Sequence, residues 1–278
     1  MTGSTGLIGT RILELLGYKY VFIPILQNEV DITDHESLMS NLKDHHFDFL
    51  IHLAAYTNVD GAEKDKELCH SINVKGTQNI ADLCHKKHAR LIHISTDFVF
   101  DGKKENEEKM PIYTEASTPK PISWYGQTKY EAEQIVADDS MIVRLSYPYR
   151  KAFEPKRDFV RTIAHMLTEG KTMTMVDDSL ITPTYIDDIA YALDHLIENY
   201  VPEIFHLVGS DSMSPYAAGL AIAKHYHLDA NLIKPIAYET YFAHKALRPQ
   251  YAQITNTKHV GLKMKSLEEG LKEMDRIL

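Results

Sequence analysis

The chain has 278 residues, 44% of them apolar, and a formal net charge of −9 at neutral pH. That length can bury a sizeable core without disulfide or metal staples, and the negative balance argues against nucleic acid as a partner, since no basic cluster stands out against it. Two cysteines, Cys69 and Cys84, are too few for a disulfide framework, no run approaches the ~18 apolar residues of a membrane helix, and the first residues are glycine-rich, unlike a signal peptide. A reduced, cytoplasmic protein is expected.

Apolar runs of strand length alternate with helix-period segments across the first half. This predicts an α/β fold, a Rossmann-like doubly wound parallel sheet with helices on both faces. Leu7–Leu16 reads as a helix stopped by Gly17, and residues 20–25 as a buried strand. Residues 47–53 repeat the strand pattern, a long helical stretch follows over 65–87, and residues 91–95 form a strand that ends on Ser95, Thr96 and Asp97. Residues 103–121 are polar and proline-bearing, hence a loop. A helix starts near Ser123 and runs past Glu133, and Met141–Leu145 supplies another strand. Beyond Tyr147 helical segments over 159–169, 187–199, 216–226 and 266–278 are separated by short strands such as 204–208. Residues 1–145, rejoined by 180–208, are expected to form the nucleotide-binding domain, and 146–179 with 209–278 a smaller C-terminal substrate lobe.

Gly3, Gly6 and Gly9 have the spacing G-x-x-G-x-x-G at a helix start, which turns backbone N–H groups and the helix dipole toward a pyrophosphate. A plain glycine-rich turn is the alternative. In such a sheet the loop follows a central first strand, yet no strand precedes Thr2. The first strand is therefore expected to be missing because the chain begins late, since its loss leaves two strand edges unpaired.

Tyr125 and Lys129 lie four apart on the helix after the Ser95-Thr96 strand and the long loop, hence on one face. A phenol is a poor acid near neutral pH, and a nearby cation favours its ionised form. The pair suits proton delivery to a carbonyl. An isolated pair of this kind is usually a solvated helix face.

Gly3/Gly6/Gly9, the stretch from Ser95-Thr96-Asp97-Phe98 to Gly102, and Tyr125/Lys129 together resemble the extended short-chain dehydrogenases, with dTDP-4-dehydrorhamnose reductases the nearest likeness. The stretch from Leu53-Ala54-Ala55-Tyr56 to Asp60, Asn73, Thr182-Pro183-Thr184 and Arg248-Pro249 extend the likeness along the chain. The resemblance implies an NAD(P)H-dependent oxidoreductase acting on a nucleotide-linked 4-keto-sugar. Tyr125 would donate the proton, Thr96 would hydrogen-bond the reacting oxygen, and Lys129 would hold the nicotinamide ribose and lower the tyrosine pKa. It implies a cofactor site of Gly3, Ser4, Thr5, Gly6, Leu7, Ile8, Asp31, Ile32, Leu53, Ala54, Ala55, Tyr56 and Asn73 beside Tyr125 and Lys129. Thr96, Asp97, Phe98, Tyr147 and Arg248 would meet the substrate, although Arg248 reads equally as a salt-bridged loop residue.

Leu145-Ser146-Tyr147 stands where those reductases carry Thr-Ser-Trp, and Phe98 where a tyrosine is common, so the sugar is left open. Pro24 falls where a ribose-binding carboxylate is expected, which favours NADP over NAD. Fifteen histidines, including His45-His46 and His225-x-His227, show no metal-ligand spacing. A nucleotide-sugar epimerase or dehydratase and a non-catalytic regulatory subunit are the competing readings. A homodimer is compatible with all three.

Overall fold

The computed structural model describes residues 1–104 and 109–276; part of the expected 103–121 loop and the end of the 266–278 helix lie outside them. Helix α1 (Leu7–Leu16) buries Ile12 and Leu16 and ends at Gly17, whose N–H donates to Leu13 O. Asp34 caps α2 (His35–Asn41) by accepting from Ser37 N, a helix with no counterpart in the sequence reading. Strand β1 (Phe49–His52) leads into two short helices, α3 (Val59–Ala62) and α4 (Lys66–His70). The expected 65–87 helix is α4 continued through one π turn, Ser71–Lys75, into α5 (Gly76–Lys87). Then come β2 (Arg90–Thr96), α6 (Trp124–Val136), capped by Ser123, and β3 (Met141–Leu145).

The second half contains β4 (Pro148–Tyr149), α7 (Phe159–Thr168), β5 (Met173–Val176), β6 (Thr184–Tyr185), α8 (Ile186–Glu198) and β7 (Ile204–His206). It closes with α9 (Pro215–His225), β8 (Ile233–Ile236), α10 (Tyr238–Phe242) and α11 (Leu267–Arg276). Strands β1-β2-β3-β7 make one parallel sheet in that order, while β4 pairs with β6 and β5 with β8 in parallel two-stranded sheets. No described helix is long and apolar enough to cross a membrane.

Residues 20–25 depart from the expected strand. Only Ile25 pairs, in a parallel bridge to Thr2, and Thr2 bridges on its other side to His52. The Met1 amine donates to Ile23 O at 2.7 Å and Ile25 N to Met1 O at 2.9 Å. Met1 and Thr2 thus occupy the place beside β1 where the missing first strand was expected. Two residues offer too short a ladder to hold a six-residue partner, and Val21 stays 97% exposed.

Alternation along the strands divides the core. Ile51, Ile92 and Val143 pack with Ile12 and Leu16 of α1 and Ile189 and Leu193 of α8, whereas Leu50, Leu91 and Ile142 pack with Leu38, Leu83 and Val136 on the opposite face. A separate cluster joins Val160, Ile163, Ala218, Ile222, Leu271 and Met274 around Tyr149 and Tyr185.

Between α6 and β3 the core holds an ion pair. Arg144 Nε and Nη2 donate to the two carboxylate oxygens of Glu133 at 2.8 and 2.7 Å, with side-chain exposures of 1% and 3%. Arg144→Met should lower stability by about 3–5 kcal/mol, because it strands the Glu133 carboxylate, while adding Glu133→Leu should recover most of that loss. Urea unfolding midpoints of the single and double variants check it.

Candidate active site

A cleft of about 1050 Å³ opens over the carboxyl ends of β1 and β2. The glycine loop forms one wall. Gly3 has φ +63°, and a Cβ there would lie 2.9 Å from Ala54 N; at Gly9 one would lie 2.2 Å from Gly3 O. Backbone approach this close needs glycine. Thr2 fastens the loop to β1: its hydroxyl accepts from Leu53 N and Ala54 N, both at 3.1 Å, and bonds His52 Nδ1 at 2.8 Å. Gly6, the N-cap of α1, provides no side-chain cap, so the first-turn N–H groups remain available to an anion.

Gly3, Thr5, Gly6, Leu7, Ile8, Asp31, Ile32, Leu53, Ala54 and Ala55 all line this cleft, with Thr96, Asp97, Phe98, Tyr125, Lys129 and Tyr147. Asp31 Oδ1 accepts from Thr33 N and Thr33 Oγ1, both at 2.8 Å, in a tight turn. Four other sequence candidates stand outside the cleft lining. Ser4 is buried behind the loop. Asn73 works from behind: its Oδ1 accepts from Tyr56 N at 2.7 Å and its Nδ2 donates to Thr128 Oγ1 at 3.0 Å, which ties Tyr56 to α6. Tyr56 itself turns its hydroxyl to Asp65, at 3.2 Å. Arg248 makes a two-pronged pair with Asp60, at 3.0 and 2.9 Å.

Ser123 and the Asp97–Val99 turn position α6. The Ser123 hydroxyl accepts from Gly126 N, and a Cβ on Gly126 would fall 2.3 Å from Phe98 O, so helix and turn are in backbone contact. Tyr125 packs edge-on to Phe98 at 5.4 Å. Burial raises the Tyr125 pKa, the Thr96 hydroxyl opposes this, and the charge of Asp97 adds to the rise. The lowering expected from Lys129 is not found. The ammonium is turned toward the sheet, donating to Ile94 O at 2.8 Å and standing 3.3 Å from His93 Nε2. Its own pKa is pushed down to about 8 by burial, against the raising influence of Glu133 and Cys69.

Thr96 donates to Asp97 Oδ1 at 2.9 Å and Ser146 to Asp97 Oδ2 at 2.7 Å. Burial still lifts Asp97 to about 6. Tyr147 has φ +41°, a left-handed backbone in a bulky residue, and its ring meets Phe159 edge-on at 5.6 Å. Phe153, Lys156, Arg157 and Phe159 also line the cleft and were missed from sequence. Their signal was an adjacent basic pair bracketed by aromatics just before a helix. Among the described residues no cluster of His, Cys, Asp or Glu could hold a metal ion.

A parallel sheet with a glycine turn at one end of its cleft and a Tyr125/Lys129 helix at the other is the scaffold of an extended short-chain dehydrogenase/reductase. The RmlD substrate binding domain family model matches residues 1–277, and the chain belongs to that family. It is 30% identical over 250 residues to a Haloferax volcanii protein named a probable low-salt glycan biosynthesis reductase, covering 84% of this chain and 82% of the relative. A dTDP-4-keto-6-deoxy-D-glucose reductase of Streptomyces niveus is 28% identical over 256 residues, covering 90% and 86%. The crystal structure of a Bacillus anthracis dTDP-4-dehydrorhamnose reductase in complex with NADP superposes with a TM-score of 0.88 at 30% identity, covering 100% of this chain and 98% of the other.

Lys129 gives the site a stability signature. From about pH 8 up to the ordinary lysine pKa of 10.5, the unfolded chain keeps a proton on this residue that the folded chain has lost. Stability should therefore rise with pH in that window, by at most about 1.4 kcal/mol per unit, relative to Lys129→Met. Urea midpoints of both proteins at pH 7.5, 8.5 and 9.5 test this; parallel curves would place the lysine pKa outside the window.

Proposed function

We propose that this chain is an NADP-dependent reductase of a nucleotide-linked 4-keto-sugar, of the dTDP-4-dehydrorhamnose reductase type. The observation that carries it is the meeting of Tyr125, Thr96 and Lys129 in one cleft with the glycine loop. The family and the named activities of the relatives support the same reading. The residues fit a dinucleotide: the uncapped start of α1 and the bare backbone at Gly3 and Gly9 suit a pyrophosphate, and a cleft of about 1050 Å³ is roomy enough for long ligands. Gly3, Thr5, Gly6, Leu7 and Ile8 hold the diphosphate, Asp31 and Ile32 the adenosine end, Leu53, Ala54 and Ala55 the edge between, and Lys129 the nicotinamide ribose.

When bound, the dinucleotide supplies a hydride to the keto carbon. The protein's part is protonic. Tyr125, whose phenol stays protonated because it is buried, gives its proton to the carbonyl oxygen as charge develops there. Thr96, Asp97, Phe98 and Tyr147 orient the sugar. Ser4, Tyr56 and Asn73 brace the wall from behind, and Arg248 serves through its pair with Asp60. Residues 1–145 with 180–208 carry the dinucleotide, and 146–179 with 209–278 the sugar, although Val260 and Met264 pack into the first apolar cluster and Tyr185 into the second. The reduced state of Cys69 and Cys84 suits a cytoplasmic enzyme.

Tyr125→Phe removes one hydroxyl and keeps the ring against Phe98. Its kcat on the best dTDP-linked keto-sugar should fall roughly 10²- to 10⁴-fold, with cofactor Kd and melting temperature nearly unchanged. Lys129→Met should damage kcat and cofactor binding together. Turnover of Tyr125→Phe at the parental rate would overturn the assignment.

A further inference from the structure

His93 is fully buried on β2, one residue from the carbonyl that holds Lys129. Strand alternation puts it on the sheet face with Leu91, under α5 and α6, whereas Ile92 and Ile94 face α1 and α8. Its Nε2 stands 3.3 Å from Lys129 Nζ. An ammonium offers three hydrogens and no lone pair, so the contact requires His93 to be neutral, with the lone pair on Nε2 and the proton on Nδ1. Burial, with the positive charge of Lys129 and the neighbouring His52, holds the imidazole well below its ordinary pKa. Nδ1 finds no acceptor among the described residues. An unpaired buried N–H costs stability that an isoleucine, as at positions 92 and 94, would avoid. Apolar packing therefore does not explain this histidine.

We infer that His93 is a positioning residue for Lys129: its Nε2 and the Ile94 carbonyl take two of the three ammonium hydrogens, leaving the third for the cleft that Lys129 lines. The inference rests on the reading of Lys129 as the group that holds the nicotinamide ribose. The titratable groups around the ammonium are Tyr125 and Glu133 on its own helix, Cys69 on α4, His52 on β1 and His93 on β2. Glu133 is engaged by Arg144. Ile94 O and His93 Nε2 are the two acceptors that meet the ammonium directly among the described residues. A bond to the charged form favours that form, so removing Nε2 makes Lys129 lose its proton at a lower pH.

The test is the titration of Lys129, followed by NMR of ¹³Cε-labelled lysine and assigned with Lys129→Met, in the parent, His93→Leu and His93→Gln. The Leu variant should lower the lysine pKa by about 1 unit or more and move the alkaline limb of the kcat profile with it. Gln, whose amide oxygen reaches the place of Nε2, should restore most of the shift, which a purely structural role would not produce. In the parent, ¹⁵N shifts should show the His93 proton on Nδ1 and a neutral ring from pH 5 to 9. A Leu variant in which Lys129 titrates as in the parent, or a parent with the His93 proton on Nε2, overturns the inference; the second result needs no folded variant. A parent that reduces no keto-sugar would sink the proposed reaction and leave the lysine titration readable.

Discussion

A lysine ammonium buried against a sheet, with no carboxylate in ion-pair contact among the described residues, constrains everything around it. Removing such a charge from water is costly unless dipoles replace the water, and here the replacements are the Ile94 carbonyl and the His93 ring. Both lie on β2, so α6 must sit at one height and one rotation over that strand. Gly126 permits the approach, since any side chain there would strike Phe98 O. Thr128 closes the arrangement: its hydroxyl donates to Tyr125 O and accepts from Asn73, whose amide also holds Tyr56. The glycine-loop wall and the tyrosine helix are thereby linked through buried polar contacts behind the cleft rather than across it.

The same geometry explains the polar face of α6. Tyr125, Thr128, Lys129 and Glu133 are buried with Gly126, Ala132 and Val136. On the opposing face of the sheet's β1, β2, β3 and β7 stand His52, His93, Arg144 and His206, with His52 in register with His93 and Arg144 with His206. Each buried charge on the helix finds a strand side chain that answers it, Lys129 at His93 and Glu133 at Arg144. That matching sets register as well as stability, because a one-residue slip of any strand would replace its polar residue with isoleucine, valine, leucine or phenylalanine.

Where periodicity was strong, the sequence sufficed. Leu7–Leu16 and Met141–Leu145 have the bounds expected of them, and α6, α8 and α9 lie within a residue or two of theirs. Residues 20–25 carry the composition of a strand but lack a partner long enough to pair with, and composition is silent about partners. Helix α2 announces itself only through the Asp34 cap, and β4 and β6, two residues each, carry no pattern. At the site, the glycine spacing and the Tyr125/Lys129 spacing are local and therefore legible. The direction in which Lys129 points is not local. It depends on register between strands 41 residues apart in sequence, which puts His52 beside His93, and residue spacing along α6 carries no trace of it.

The hydroxyl chemistry of the cleft follows from one committed hydrogen. Thr96 donates to Asp97 Oδ1, and Asp97 also accepts from Ser146. Thr96 has one hydrogen, and the lowering influence of its hydroxyl on the Tyr125 phenol requires donation, so phenol and carboxylate compete for that hydrogen. A substrate oxygen set against Thr96 then competes with Asp97 for a single hydrogen. The carboxylate has the advantage of charge, but burial holds its pKa near 6, which shows that its ionised form is poorly stabilised even with both hydroxyls bonded to it. The Tyr125 hydroxyl, held neutral by burial, keeps its own hydrogen to give. In the proposed reaction the phenol is then the group in this cleft with a hydrogen to give a carbonyl gaining negative charge, while the Thr96 hydrogen is committed to Asp97.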